Sequence, residues 1–203
     1  MNQHHSAKEL FEKVKPLWEK YDLKQAEPYL EGLSDGSRRD VEDRDKVGYY
    51  QFLPCLVEYL KPKTVVELGG AMGAASLMIL SSLPRDSRLY SITLTENGLE
   101  FSFVKEKYPN FVPIVGDDLK LENWPKELNL GQTDLWFIDS AHNYAQFHAE
   151  IELYKPFFKK GTVILIDDIK LNEEMFRGWL EFPGDKLDVT NWLHYSGYGL
   201  CII

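Results

Sequence analysis

Cysteine is scarce in this chain: Cys55 and Cys201 are its 2 cysteines among 203 residues, each in apolar surroundings and far from the other. That scarcity argues against a disulfide scaffold and offers no metal-binding spacing, so both are read as reduced core residues. Basic charge is short as well. Lysine and arginine total 23 against 32 aspartates and glutamates, a net charge of −9. Nucleic acid and anionic membranes reward basic faces, so neither is expected as a partner. No apolar run approaches the roughly 20 residues that span a bilayer, and the opening Met1-Asn2-Gln3-His4-His5 lacks the basic-then-apolar build of a signal peptide. A soluble cytoplasmic protein is expected. With 44% hydrophobic and 13% aromatic residues, the chain can bury a sizeable core.

Leu10, Phe11, Val14, Leu17, Trp18 and Tyr21 recur at helical spacing within residues 6–22. Such an amphipathic helix either packs on the body of the fold or meets a second copy in a homo-oligomer, and packing is the simpler reading. A short apolar-periodic piece precedes Gly32. Ser34 to Asp45, with Arg38, Arg39 and Arg44, reads as a polar, solvated loop that can act as a lid if it folds over a site. Helical spacing resumes over Tyr49 to Leu60 and stops at Pro62. These pieces form an expected helical cap over residues 1–61.

From residue 62 to 203 the chain alternates. Strands are expected at Thr64–Leu68, Arg88–Leu94, Phe111–Val115, Asp134–Ile138 and Thr162–Asp168, with helices over Ala74–Leu83, Gly98–Lys107, from Asn143, and around Met175 to Leu180. Two closing strands, near Lys186–Thr190 and Tyr198–Ile203, have no expected helix between them and should pair antiparallel. Strands separated by helices of this length are βαβ units, so the fold class is α/β with a mostly parallel sheet.

Three stretches carry the chemistry. The run Thr162-Val-Ile-Leu-Ile-Asp167-Asp168 is a strand buried on both faces that ends in two adjacent carboxylates. Adjacent anions at the carboxyl edge of such a strand repel each other and resist desolvation unless a cation joins them, and that edge is where open α/β sheets bind ligands. Leu135-Trp-Phe-Ile-Asp139-Ser-Ala-His142 is a second buried strand ending in an aspartate, with a histidine three residues on. Val66-Glu67-Leu-Gly69-Gly70-Ala-Met-Gly73 is a strand-to-helix turn whose glycines permit positive φ and let a ligand approach the backbone. Its spacing is not the G-x-G-x-x-G of a dinucleotide fingerprint.

The glycine loop resembles the nucleotide-binding motif of class I S-adenosylmethionine-dependent methyltransferases. Asp139-x-x-His142 with Asp167-Asp168 resembles the signature of metal-dependent small-molecule O-methyltransferases, most nearly the branch of macrolide-sugar O-methyltransferases and cephalosporin-hydroxylase-like proteins. Catechol-type enzymes differ, with lysine at the His142 position and asparagine at the Asp168 position. The likeness spans about residues 62–203 and implies a Rossmann-like, seven-stranded sheet with an antiparallel last strand and helices on both faces. It also implies roles. Asp139, Asp167 and Asp168 would hold a divalent metal, expected to be Mg²⁺ for hard oxygen donors. Asp139 and His142 would be catalytic, with His142 the general base. Glu67, Gly69, Gly70 and Gly73 would face S-adenosylmethionine, with Thr93 at the ribose position and Asp117 or Asp118 at the adenine. Thr93 departs from the family, which places Asp or Glu there; a hydroxyl binds a diol less firmly than a carboxylate, and Glu96 is the nearest substitute.

The expected function is metal-assisted methyl transfer from S-adenosylmethionine to a hydroxyl of a small-molecule acceptor. Two alternatives stand beside it: a fold relative that binds cofactor or metal without methyl transfer, and a nicotinamide-dependent dehydrogenase. The segments around Ser34–Asp45 and His194–Gly197, which would choose the acceptor, carry no interpretable pattern.

Overall fold

A computed structural model of the chain describes residues 6–31, 33–95 and 107–203. The helix expected over 98–107 and the residues Gly32 and Glu96 fall wholly or mainly outside them. Seven strands form one sheet: β1 (Thr64–Leu68), β2 (Arg88–Thr93), β3 (Phe111–Val115), β4 (Leu135–Ile138), β5 (Val163–Asp167), β6 (Asp185–Asp188) and β7 (Tyr198–Ile202). Their order is β3-β2-β1-β4-β5-β7-β6. The pairs β1 to β2, β2 to β3, β1 to β4 and β4 to β5 are parallel, while β7 runs antiparallel between β5 and β6. The α/β architecture with an antiparallel last strand is therefore as the alternation predicts.

Side-chain alternation along the strands explains the layers. Val65, Phe137 and Leu165 face one apolar cluster, which also takes Leu10, Phe11, Val14 and Trp18 of α1 (Ala7–Glu19), most of α5 (Tyr49–Leu60) and the apolar side of α6 (Ala74–Ser82). Val66, Trp136 and Ile164 face the other, against Phe147 and Ile151 of α7 (Tyr144–Tyr154) and Met175 and Trp179 of α8 (Glu173–Glu181). Helices therefore cover both faces. The boundary expected at residue 61 falls at the end of α5, whose buried residues share a cluster with the strands. Cys55 and Cys201 are free and buried, and no helix among the described residues is long and apolar enough to cross a membrane.

Two expectations need correction. The polar run from Ser34 is not a loop: after the short α2 (Glu27–Leu30) it forms α3 (Asp35–Glu42) and α4 (Arg44–Val47). The Ser34 hydroxyl accepts from Ser37 N and the Asp43 carboxylate from Lys46 N, so each helix carries its own amino cap. One apolar residue of α3, Val41, is buried, too few for periodicity to register. The second correction lies between β6 and β7, where Thr190–Leu193 makes a single helical turn, α9. The two strands still pair antiparallel.

Candidate active site

Ile138 and Ile166 are register partners on β4 and β5, so Asp139 and Asp167, the next residue on each strand, emerge side by side at the carboxyl edge. A regular strand would send Asp168 to the opposite face. Its φ of 57° breaks the alternation, a left-handed conformation that aspartate tolerates better than most residues. The Asp168 N–H donates to Asp167 Oδ1 at 2.9 Å, and both carboxylates line a cleft of about 780 Å³ with Asp139, His142 and His194. The other wall is made by Asp40 of α3, Asp43 between the two helices and Lys46 of α4, while Tyr49 and Tyr50 stand at the start of α5.

His142 Nε2 sits 3.2 Å from Asp139 Oδ1 and 3.2 Å from Asp168 Oδ2. A second histidine lies on the other side. His194 Nδ1 is 2.8 Å from Asp167 Oδ1 and 3.5 Å from Asp168 Oδ1, and the Ser196 hydroxyl donates to Asp168 Oδ1. Among the described residues, one group of three possible ligand residues has its donor atoms all within 4.8 Å of one another: Asp167, Asp168 and His194. Asp139 is joined to that group through His142.

The electrostatics follow from burial and crowding. Burial, then the Asp139 charge, push the Asp167 carboxyl up to about 7. Burial likewise raises Asp139. The Asp139 hydrogen bond raises His142. For His194, burial pushes downward, but the Asp167 hydrogen bond and the surrounding carboxylates outweigh it, and the net shift is upward. Asp139 and Asp167, meeting at one cleft base, hold their protons more tightly than free carboxylates do. A divalent cation fits this donor set, since it would replace those protons and relieve the repulsion.

The glycine loop lies at the end of β1. Gly69 and Gly73 have φ of 89° and 83°, and the Gly69 and Gly70 N–H groups both donate to Ile92 O. A Cβ on Gly69 would stand 1.8 Å from Asp139 O, so this glycine is required by the close approach of the β4 turn. A Cβ on Gly73 would meet no described atom within 4 Å. Glu67 is buried under α6, where its carboxylate accepts from Ser76 Oγ, and burial pushes it up to about 7.

Thr93 ends β2 half-buried, and its carbonyl accepts from Gly116 N. Asp117 is half-exposed and caps its own turn by accepting from Leu119 N. Asp118, the other candidate for the adenine, is buried. The Gln146 amide donates to both Asp118 Oδ1 and Glu150 Oε1 at 2.8 Å. Burial, then the Asp118 charge, push Glu150 up to about 8.

His194, Ser196 and Glu150 escaped the sequence reading. Glu150 had a signal: a glutamate on the stripe of Phe147, Ile151 and Tyr154, which is otherwise apolar. His194 had a fainter one, a His-x-Ser-Gly directly before an apolar strand. Gly197, with φ 114°, lets that turn close on Ile169 and Lys170, since a Cβ there would lie 2.4 Å from Lys170 N.

Residues 66–169 match a family described as a methyltransferase domain. No curated protein matches the chain in sequence. Among solved structures, the chain is similar to an O-methyltransferase from Bacillus cereus in complex with SAH, at 16% identity and a TM-score of 0.62, covering 95% of this chain and 96% of that one. It is similar to the Streptomyces achromogenes O-methyltransferase of tomaymycin synthesis in complex with SAM, at 17% identity and a TM-score of 0.63, covering 91% of each. It is also similar to a methyltransferase from Geobacter sulfurreducens, at 16% identity and a TM-score of 0.63, covering 97% of this chain and 98% of that one. At such identities these likenesses establish the fold.

Proposed function

Because the chain belongs to the methyltransferase-domain family, we propose that it transfers a methyl group from S-adenosylmethionine to a hydroxyl of a small molecule, assisted by a divalent cation at Asp139, Asp167 and Asp168. The observation that carries this reading is the meeting of these three carboxylates with His142 at one cleft base. The glycine loop beside it, and the SAH and SAM held by two structural neighbours, support the cofactor.

When bound, the cofactor would supply an electrophilic methyl group and the cation would lower the pKa of an acceptor hydroxyl. The chain's own part is proton transfer and placement. His142 lines the cleft and its imidazole takes the acceptor proton; its Nε2 lies between Asp139 and Asp168, and these carboxylates hold the ring and stabilise its protonated form. Tyr49, Tyr50 and the α3–α4 wall confine the acceptor against this base, which is where orientation contributes to rate.

The reading is tested by calorimetry of S-adenosylhomocysteine, NADH and divalent metals, followed by turnover on a panel of hydroxyl acceptors. Binding of S-adenosylhomocysteine and metal with methylation of at least one acceptor is expected. NADH binding in place of S-adenosylhomocysteine would sink the proposal. Thr93, in place of the expected carboxylate, favours the second reading of a fold relative without methyl transfer. Cofactor and metal bound with no acceptor turned over would support that reading.

A further inference from the structure

We propose that His194 is a direct ligand of the divalent cation, making the centre a mixed nitrogen and oxygen site that prefers a first-row transition dication such as Mn²⁺ to Mg²⁺. The inference rests on the metal-assisted reading above and deepens it, since the sequence motifs reach only oxygen donors.

Geometry is the first support. Two donors at right angles on one ion, each about 2.1 Å from it, are about 3.0 Å apart. His194 Nδ1 lies 2.8 Å from Asp167 Oδ1 and 3.5 Å from Asp168 Oδ1, so one ion can reach all three atoms with small shifts. His194, Asp167 and Asp168 are the described residues whose ligand atoms cluster within 4.8 Å.

Backbone is the second support. Asp168 and Gly197 both take positive φ, 57° and 114°, and together they bring the 194–197 turn onto the end of β5. Lys170 N donates to Ser196 O at 2.9 Å, fastening the two segments. Ser196 and Asp168 share a hydrogen bond that orients the carboxylate. The left-handed conformation of Asp168 costs free energy and persists where surrounding structure enforces it, often at functional sites, while Gly197 takes its positive φ without that cost. Here they converge on one imidazole, 7% exposed, which lines the cleft where an ordinary core histidine would be enclosed by apolar groups.

Donor chemistry then sets the preference. Mg²⁺ favours oxygen donors and retains its waters, whereas imidazole suits the transition dications.

The test uses the full chain, stripped of metal, with Mn²⁺ as the probe. Pulsed electron paramagnetic resonance reads ¹⁴N coupling to the bound ion, and competition titration reads the ratio of Mn²⁺ to Mg²⁺ affinity. In wild type and in His142→Ala we expect ¹⁴N coupling and a Mn²⁺ preference on the order of tenfold or more. In His194→Asn, which keeps polarity and much of the volume, the coupling should vanish and the preference collapse. Circular dichroism with a thermal melt shows that each variant folds, and His194→Gln repeats the test if the asparagine variant does not. Bound Mn²⁺ without ¹⁴N coupling in wild type, or coupling that survives in His194→Asn, overturns the assignment. Coupling lost in His142→Ala alone would give the nitrogen to that residue and overturn it equally. Mn²⁺ bound through His194 in a protein that does not bind S-adenosylhomocysteine would defeat the methyl-transfer reading and leave this assignment standing. Absence of any metal binding would defeat the metal-assisted reading and this inference with it.

Discussion

Single residues separate what holds the site from what reacts in it. Gly69 and Gly73 share a backbone conformation but not a neighbourhood, so alanine should treat them differently. Gly73→Ala should cost about 1–2 kcal/mol, the strain of a left-handed alanine. Gly69→Ala should cost clearly more, because its Cβ would displace Asp139 O and with it the carboxylate. Urea melts of the two variants make the comparison, and equal losses would show that the β4 turn yields freely. His142→Ala should retain metal and S-adenosylhomocysteine binding while turnover falls roughly 10²–10⁴-fold, as for loss of a general base. A base works deprotonated, and the Asp139 hydrogen bond raises His142. Activity should therefore fall on the acid side in wild type, and the variant should regain part of its loss at high pH. A variant with undiminished turnover would return His142 to an ordinary surface role.

Elements were legible in proportion to their apolar content. Val163 to Ile166 and Leu135 to Ile138 are runs of buried, strand-forming residues, so their ends, and hence Asp139 and Asp167, could be placed from the apolar pattern, whereas the left-handed turn that brings Asp168 to the same cleft could not. The α3–α4 wall could not, because it is held by polar caps and by Arg44. The Arg44 guanidinium lies 4.6 Å over the Trp18 ring and donates to Trp18 O, and the Trp18 indole donates to Gly48 O at 3.0 Å. At the wall's other end Tyr195 N donates to Lys46 O at 3.1 Å. Arg44→Ala should cost about 0.5–1 kcal/mol in stability and loosen the wall. The acceptor KM should then rise while S-adenosylhomocysteine affinity holds, and an unchanged KM would make the wall rigid without its arginine. His194 was illegible for a topological reason. Asp167 pairs with Tyr198 across an antiparallel ladder, and nothing in the local pattern announces that the turn before the last strand returns to the end of β5.

Across the whole molecule, buried acids set the response to pH. Glu67 and Asp167 are pushed up to about 7 and Glu150 to about 8, against roughly 4 in an unfolded chain. Between about pH 4 and 8 the folded state keeps protons that the unfolded state has lost, so stability falls as pH rises through that window. His142 and His194 are raised as well; their contribution is present below about 6.5 and is lost above, in the same direction. Scanning fluorimetry in chelator should give a Tm several degrees lower at pH 8.5 than at pH 5.5. Saturating divalent metal should offset the loss most at the higher pH, where no protons compete for the carboxylates. A Tm that climbs with pH in chelator would contradict the burial of these acids.

The place of β7 has a consequence for synthesis. It lies between β5 and β6, and α1 packs against β6 and β7, with Ala7 N donating to Asp185 Oδ1. On the ribosome, α1 emerges nearly two hundred residues before the strand that completes its seat. Phe11 and Trp18 can meet Phe52, Arg44 and Gly48 early, but the side of α1 that packs on β6 and β7 stays uncovered through most of translation, a standing invitation to chaperones. The sheet can close and the His194 turn can meet Asp167 only after residue 202 has cleared the exit tunnel, so a prematurely terminated product inherits the carboxylates without the means to balance them.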